Sequence, residues 1–382
     1  MLNKTTIKIA LVLLTGAATL SAGEIKVTGV VWNRYTLKRS NDRTTYSQFS
    51  LDRGYLTLEP KLSDKIKGRF TLDFFSSDKY NDGAGLKLKY VYLQFGQLLP
   101  IPDHSLEIGV IKHYFGLVYD WDYPVIEKVL EDKEKVLASA DYGLAFIGYL
   151  PKGYGEYSIG VYNSEGYTKT QSKVNKNFAS LFNLRLVPIA GITIGGSVIL
   201  DKPGLTGLVK HTTTPTRAES LFKNVYDNRK VYAGITKLAF SPVEIWAEYL
   251  SSYYDSTITK KISNVAETIS TTTYVYKSAG YSITPIISLK QLINLDADLV
   301  FRYDFWDANK DIKDYKSASM TTIIGFNYHL LQSANGDPVL TIQLNWQRKT
   351  YKKEDPTITE TKKPEDQIGL QLKWKYSSTI LN

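Results

Sequence analysis

From residue 24 onward, apolar and polar residues alternate with a period of two over most of the chain, the spacing that puts successive side chains on opposite faces of an extended strand. The alternation is clearest late. Leu295, Ala297, Leu299, Phe301, Tyr303 and Phe305 oppose Asp296, Asp298, Arg302 and Asp304. Ile368, Leu370, Leu372, Trp374 and Tyr376 oppose Gln371, Lys373 and Lys375. Sixteen segments are predicted, at 24–36, 49–60, 65–76, 86–96, 105–114, 140–150, 155–164, 177–188, 191–201, 230–240, 243–254, 272–285, 293–306, 317–330, 338–351 and 366–376. Strands of about 10–14 residues with one apolar face are those of a transmembrane barrel.

The connections alternate in length, and proline marks the short ones. Pro60, Pro100, Pro102, Pro151, Pro188, Pro242, Pro285 and Pro338 lie in or beside them. Proline cannot donate to a sheet ladder, so it belongs where pairing stops. The other connections, around 37–48, 77–85, 115–139, 165–176, 202–229, 255–271, 307–316 and 352–365, are mostly longer and polar. Short turns at one end and long loops at the other are the habit of an outer-membrane barrel. A soluble secreted β domain, the alternative, has no reason to sort its loops this way.

One stretch breaks the period. In "YDWDYPVIEKVLEDKEKVL" (119–137), Val125, Ile126, Val129, Leu130, Val136 and Leu137 recur near 3.6 residues, as on an amphipathic helix, and Pro124 suits a first helical position. The expected architecture is therefore all-β, an antiparallel barrel of about 16 strands with long external loops and a partly helical third loop.

Composition narrows this further. Lys4 and Lys8, an apolar run from Ile9 to Leu14, and small residues through Gly23 read as a secretory signal peptide over 1–23, leaving 24–382 as one barrel domain. Removing those two lysines lowers the formal charge from +9 to +7. No run of about 18 apolar residues remains to form a membrane helix. The chain has no cysteine, so closure of the sheet must supply what disulfides give other secreted proteins.

The segments "FSLDRGYLTLEPKLSDKIKGRFTLDF" (49–74), "LEIGVIKHYFGL" (106–117) and "SADYGLAFIGYLPKGYGEYSIGVYNSEGY" (139–167) resemble outer-membrane porins of the phosphate-selective porin O/P type. The shared features are an Arg-containing strand, a strand ending in Leu-Asp-Phe, a Gly-x-x-Lys strand edge, and a Val-Tyr-Asn-x-Glu-Gly strand end. The resemblance covers 49–167; beyond that only the pattern matches. It implies a sixteen-stranded barrel, usually a homotrimer, that passes small hydrophilic solutes and often anions. The chain departs from that family in its acidic third loop, in its lumen carboxylates, and in "SSTILN", which follows an apparent last strand residue at Tyr376.

Alternation also assigns charges to the lumen. Lys26, Arg34, Arg53, Lys67 and Arg69 fall on the first three strands, and Lys349, Lys373 and Lys375 on the last two. Closure makes these one basic wall. Glu244, Glu248, Asp296, Asp298 and Asp304 form an acidic region. The third loop carries Asp120, Asp122, Glu127, Glu131, Asp132 and Glu134 against Lys128, Lys133 and Lys135. Its apolar side is expected on the inner wall and its acidic side facing the basic wall across a constriction, where opposed charges focus a transverse field. The alternatives are lumen charges that are merely solvated, and a loop that stays outside as a cap or subunit contact.

Catalytic chemistry is expected to be missing. His104, His113, His211 and His329 sit in turns, loops or strand ends without a serine at recognisable spacing. His113 reads as a solvated loop residue or a solute contact. "DANKDIKD" (307–314) has calcium-loop spacing but lacks the glycine and closing glutamate. No cofactor, metal or nucleic-acid partner is expected. The reading is a passive pore in the outer membrane of a Gram-negative-type bacterium, surrounded by lipid, taking small hydrophilic solutes or anions. A non-conducting adhesin or scaffold is the alternative, and an outer-membrane hydrolase a third.

Overall fold

The computed structural model describes residues 23–77, 83–100, 102–120, 122–164, 166–168, 177–202, 228–262, 268–308, 310, 318–351 and 363–381. The strands are β1 (Glu24–Ser40), β2 (Arg43–Lys61), β3 (Ile66–Ser76), β4 (Ala84–Gly96), β5 (His104–Lys112), β6 (Ala140–Leu150), β7 (Gly155–Tyr162) and β8 (Ala179–Ile189). They continue with β9 (Ile192–Asp201), β10 (Asn228–Phe240), β11 (Val243–Ile262), β12 (Thr268–Ser288), β13 (Ala297–Asp307), β14 (Ala318–Gln332), β15 (Pro338–Tyr351) and β16 (Glu365–Leu381). Each pairs antiparallel with its sequence neighbours, and β1 pairs with β16 to close the barrel. Each of the sixteen expected segments corresponds in order to one strand. Closure gives every strand two partners and leaves no edge.

Alternation places one face on lipid and the other on the lumen. Ile108, Leu144, Leu184, Ile324 and Leu370 are exposed on the outside. Trp32, Glu107, Asn183, Glu248 and Gln371 are buried on the inside. A polar, charged interior is unusual for a packed core and suits a barrel whose lumen holds water or a loop.

Several local expectations change. The connection expected at 255–271 is strand up to Ile262 and again from Thr268. The loop expected at 37–48 is strand on both sides, with only Asn41 and Asp42 as the turn. Both have positive φ, 53° and 58°, as a two-residue hairpin turn requires. The last strand does not stop at Tyr376: Ser377–Leu381 continue it and pair with Thr28–Glu24. Pro285 lies inside β12 rather than in a turn, where pairing to β13 is interrupted between Ile283 and Ile286. Among the described residues of the third loop only Leu130–Lys133 (α1) is helical. The other described α-helix, α2 (Leu289–Ile293), sits between β12 and β13. A short isolated helix nucleates poorly, and the remaining loop backbone finds partners on the barrel wall instead. The signal-peptide residues 1–22, His211, and Asn309 and Asp311 of the calcium-like spacing lie outside the described residues.

Candidate functional site: a loop bound to the inner wall

The third connection, 113–139, leaves β5 and turns into the lumen. Its described residues meet lumen-facing side chains of strands all around the barrel. Gly116 donates its N–H to Ser197 on β9 (3.0 Å) and its carbonyl accepts from Arg185 on β8. Pro124 O accepts from Asn327 on β14 (2.8 Å) and Gln343 on β15 (3.5 Å). Ile126 N–H donates to Asn345 on β15 (2.8 Å), and Ile126 O accepts from Arg34 on β1 (3.3 Å). Arg302 on β13 donates to Glu127 O (3.4 Å), and Arg229 on β10 to Val136 O (3.1 Å). Irregular backbone is thus satisfied by amide and guanidinium side chains projecting from strands.

The apolar residues of the loop pack against apolar wall positions. Val125 joins Ile286, Val300 and Ile323, with Trp246 at the rim. Val129, Leu130, Val136 and Leu137 join Val231, Ile235 and Leu250. Burying such side chains contributes roughly 1.5–3 kcal/mol each, which holds the loop against a wall otherwise lined by polar groups.

Charge pairing is more specific than an acidic face opposite a basic one. Asp120 pairs with Arg185 (2.9 Å) and with Lys237 on β10 (3.0 Å). Asp122 pairs with Lys373 and Lys375 on β16, two members of the expected basic wall. Burial alone would raise both aspartates, but two cations beside each hold them below the ordinary carboxylate value. Glu131 is fully buried away from that wall, against Glu248 on β11, and burial pushes its carboxyl up. Asp132 pairs within the loop with Lys128 (3.1 Å). Glu127 caps its neighbour's N–H at Lys128 (2.9 Å), and Glu134 lies 4.0 Å from Lys133. The six carboxylates therefore face different directions.

All eight wall residues occupy lumen positions on adjoining strands. Arg34 bonds Gln371 and Asp52, and Arg69 pairs with Glu59 (3.3 Å). Arg53 stacks 4.3 Å from the centre of the Trp32 ring. Lys26, Lys67 and Lys349 have no ion pair among the described residues. Arg185, Lys237 and Arg229 were missed. Arg185 and Lys237 lie on predicted strands whose alternation puts them in the lumen, whereas Arg229 falls in the connection expected at 202–229 and belongs to β10; nothing in the sequence links any of the three to loop residues far away. The same holds for Asn327, Gln343 and Asn345.

The acidic region disperses. Asp304 is bound by Arg302 (2.8 Å) and by Lys133 of the loop (2.9 Å), Glu244 accepts from Trp246, and Asp296 pairs with Lys290 on α2 (3.0 Å). The expectation of a solvated or solute-contacting His113 is corrected: it is buried against Tyr162, with Nδ1 on the Ala138 carbonyl. Burial lowers its pKa to about 4, so it is neutral. His329 does have a hydroxyl beside it, Thr341 at 3.1 Å, with Asp298 at 2.9 Å on the other nitrogen. Thr341 is paired with His329 on one side and Lys373 on the other, so its backbone is committed to the ladder and cannot serve as an oxyanion donor.

Two cavities flank the loop. One of about 720 Å³ lies at the short-turn end, lined by Lys65, Lys67, Lys152, Arg185, Lys237 and Glu156 among others. Another of about 580 Å³ lies at the long-loop end, lined by Lys38, Arg39, Glu127, Lys128, Glu134 and Lys349 among others.

No family model and no curated protein matches the sequence. Among solved structures, the chain is similar to OmpT of Vibrio cholerae in its trimer form, with a TM-score of 0.56 and 9% identity over 92% of this chain and 99% of that one. It is also similar to an anion-selective porin from Comamonas acidovorans, with a TM-score of 0.58 and 9% identity over 92% and 99%. A Salmonella typhi OmpF in complex with daunomycin gives a TM-score of 0.58 and 10% identity over 92% and 97%. The shared property is the fold, a closed barrel of the outer-membrane kind.

Proposed function

We propose that this chain is a non-catalytic outer-membrane porin, a water-filled channel for passive diffusion of small hydrophilic solutes, with the 113–139 loop as its constriction. The observation that carries the reading is the loop's anchorage inside the barrel by Asp120 to β8 and β10 and by Asp122 to β16, with a cavity on either side. A loop that merely capped the barrel would not need lumen-facing partners at this depth.

Anion preference is part of the proposal. Each of the two loop aspartates that reach the wall faces two cations, so the acidic loop leaves no net negative charge there. Lys65, Lys67 and Lys152 at the short-turn end add positive charge that draws anions in. The anion-selective porin among the structural neighbours and the O/P-type resemblance of 49–167 point the same way, with phosphate the first anion that resemblance suggests. The homotrimer is supported by that resemblance and by the trimer form of the OmpT neighbour.

The test is planar-bilayer conductance of the full chain against a variant lacking 122–137. The expected result is higher conductance in the variant; equal conductance overturns the constriction. Liposome swelling with small sugars separates pore from scaffold, since a scaffold gives none. A reversal potential in a KCl gradient that indicates cation selectivity overturns the anion preference.

A further inference from the structure

The lumen arginines differ in what their guanidinium N–H groups meet. Arg34, Arg69, Arg185 and Arg302 each donate to a carboxylate or carbonyl. Arg53 on β2 also faces the lumen, paired with Trp32 of β1. It has neither a hydrogen-bond acceptor nor an ion-paired carboxylate among the described residues. None of its nitrogens is among the sealed, unsatisfied atoms, and the residue is partly exposed. Three rings hold it instead: Trp32 at 4.3 Å, Tyr55 at 5.6 Å and Tyr123 of the loop at 5.8 Å. Ring contacts fix a guanidinium without cancelling its charge or using its N–H edges.

The nearby carboxylates are taken. Asp52 is bonded to Arg34 (2.9 Å), Asp132 of the loop to Lys128 (3.1 Å), and Asp122 to Lys373 and Lys375. Burial pushes the Tyr123 hydroxyl well above its ordinary pKa despite the opposing pull of Arg53, so it remains a proton donor. We propose that Arg53 is the carboxylate-binding residue of the lumen, and that small organic monocarboxylates are the solutes this pore holds. This rests on the anion-pore reading and replaces phosphate with a flat oxyanion. A carboxylate extends the guanidinium plane with two parallel N–H···O bonds. A tetrahedral phosphate sends oxygens above and below that plane, toward the bordering rings. Chloride offers one acceptor atom where the fork presents two parallel donors.

The experiment is binding of propionate, phosphate and chloride to the full chain folded in detergent, at constant ionic strength and pH 7.5, read by fluorescence beside Trp32 and by calorimetry. Propionate is expected to bind saturably and more tightly than either other anion. R53K keeps the charge but loses the fork, and is expected to weaken propionate by about tenfold. K61Q, at the end of β2 where Lys61 pairs with Asp64, is expected to leave it unchanged; circular dichroism confirms that each variant folds. Equal affinity in R53K, or phosphate binding as tightly as propionate, overturns the site. In bilayers, propionate is expected to reduce chloride current saturably in the native chain and weakly in R53K. A native chain that binds propionate in detergent but conducts nothing refutes the pore and spares the site.

Discussion

Glu131 of the loop and Glu248 of β11 accept from the same backbone N–H, that of Leu117, at 2.9 and 3.1 Å. Both side chains are buried, and their second oxygens have no hydrogen-bond partner. Arg302 of β13, whose charge acts on Glu248, is itself bound to Asp304. Two carboxylates this close and this dry cannot both ionise, so the pair retains a proton.

The pair makes the loop's attachment sensitive to alkali. Burial raises Glu131 above its ordinary value of 4.5. The folded state then binds the proton more tightly than the unfolded state. The contribution is complete below the ordinary value and is lost as pH rises through the raised one. Glu131→Gln keeps an acceptor for Leu117 and cannot ionise. Melting at pH 5, 7 and 9 should show native stability falling relative to Glu131→Gln; parallel curves refute the shared proton.

Asp122 has the opposite sign. It is held below its ordinary value of 3.8, because Lys373 and Lys375 outweigh its burial. Its stabilisation is present above that value and lost as pH falls through the depressed one. Asp122→Asn reproduces the acid form at neutral pH and leaves two lysines unpaired. The reversal potential in a KCl gradient should move toward greater anion selectivity than in the native chain.

Gly116 is left-handed, with φ of 43°, and a Cβ there would strike Glu131 Oε1 and come within 2.8 Å of Glu248 Oε1. Gly116→Ala should cost about 1–3 kcal/mol of stability and loosen the loop. Urea unfolding of the refolded barrel measures the first effect, and single-channel current noise the second.

The C-terminal residues seal the barrel. Removing Ser377–Leu381 strips partners from Glu24–Thr28 of β1. A chain ending at Tyr376 should fold less completely and melt at a lower temperature than the full chain.

The barrel was legible because a strand's side-chain period is local. Leu370, Leu372 and Trp374 declare their outer face without reference to any other strand, and the lumen positions of Arg34, Arg53 and Lys373 follow by parity. Hairpin length was less legible. Residues 37–40 and 43–48 are polar enough to read as loop, yet they pair because Asn41 and Asp42 make a tight turn. Polar strands above a membrane lack the alternation that betrays strands within it.

The sequence by itself determined the strand count, the closed antiparallel order, the inner and outer faces and the oddity of 119–137, since each depends on neighbours in the chain. Only the tertiary structure decided that Asp120 meets Arg185 while Asp122 meets Lys373, that Glu131 lies on Glu248, and that Arg53 is left with rings alone. Those pairings join residues up to 251 positions apart. They depend on where a folded loop lies within a closed barrel, and no local period carries that information.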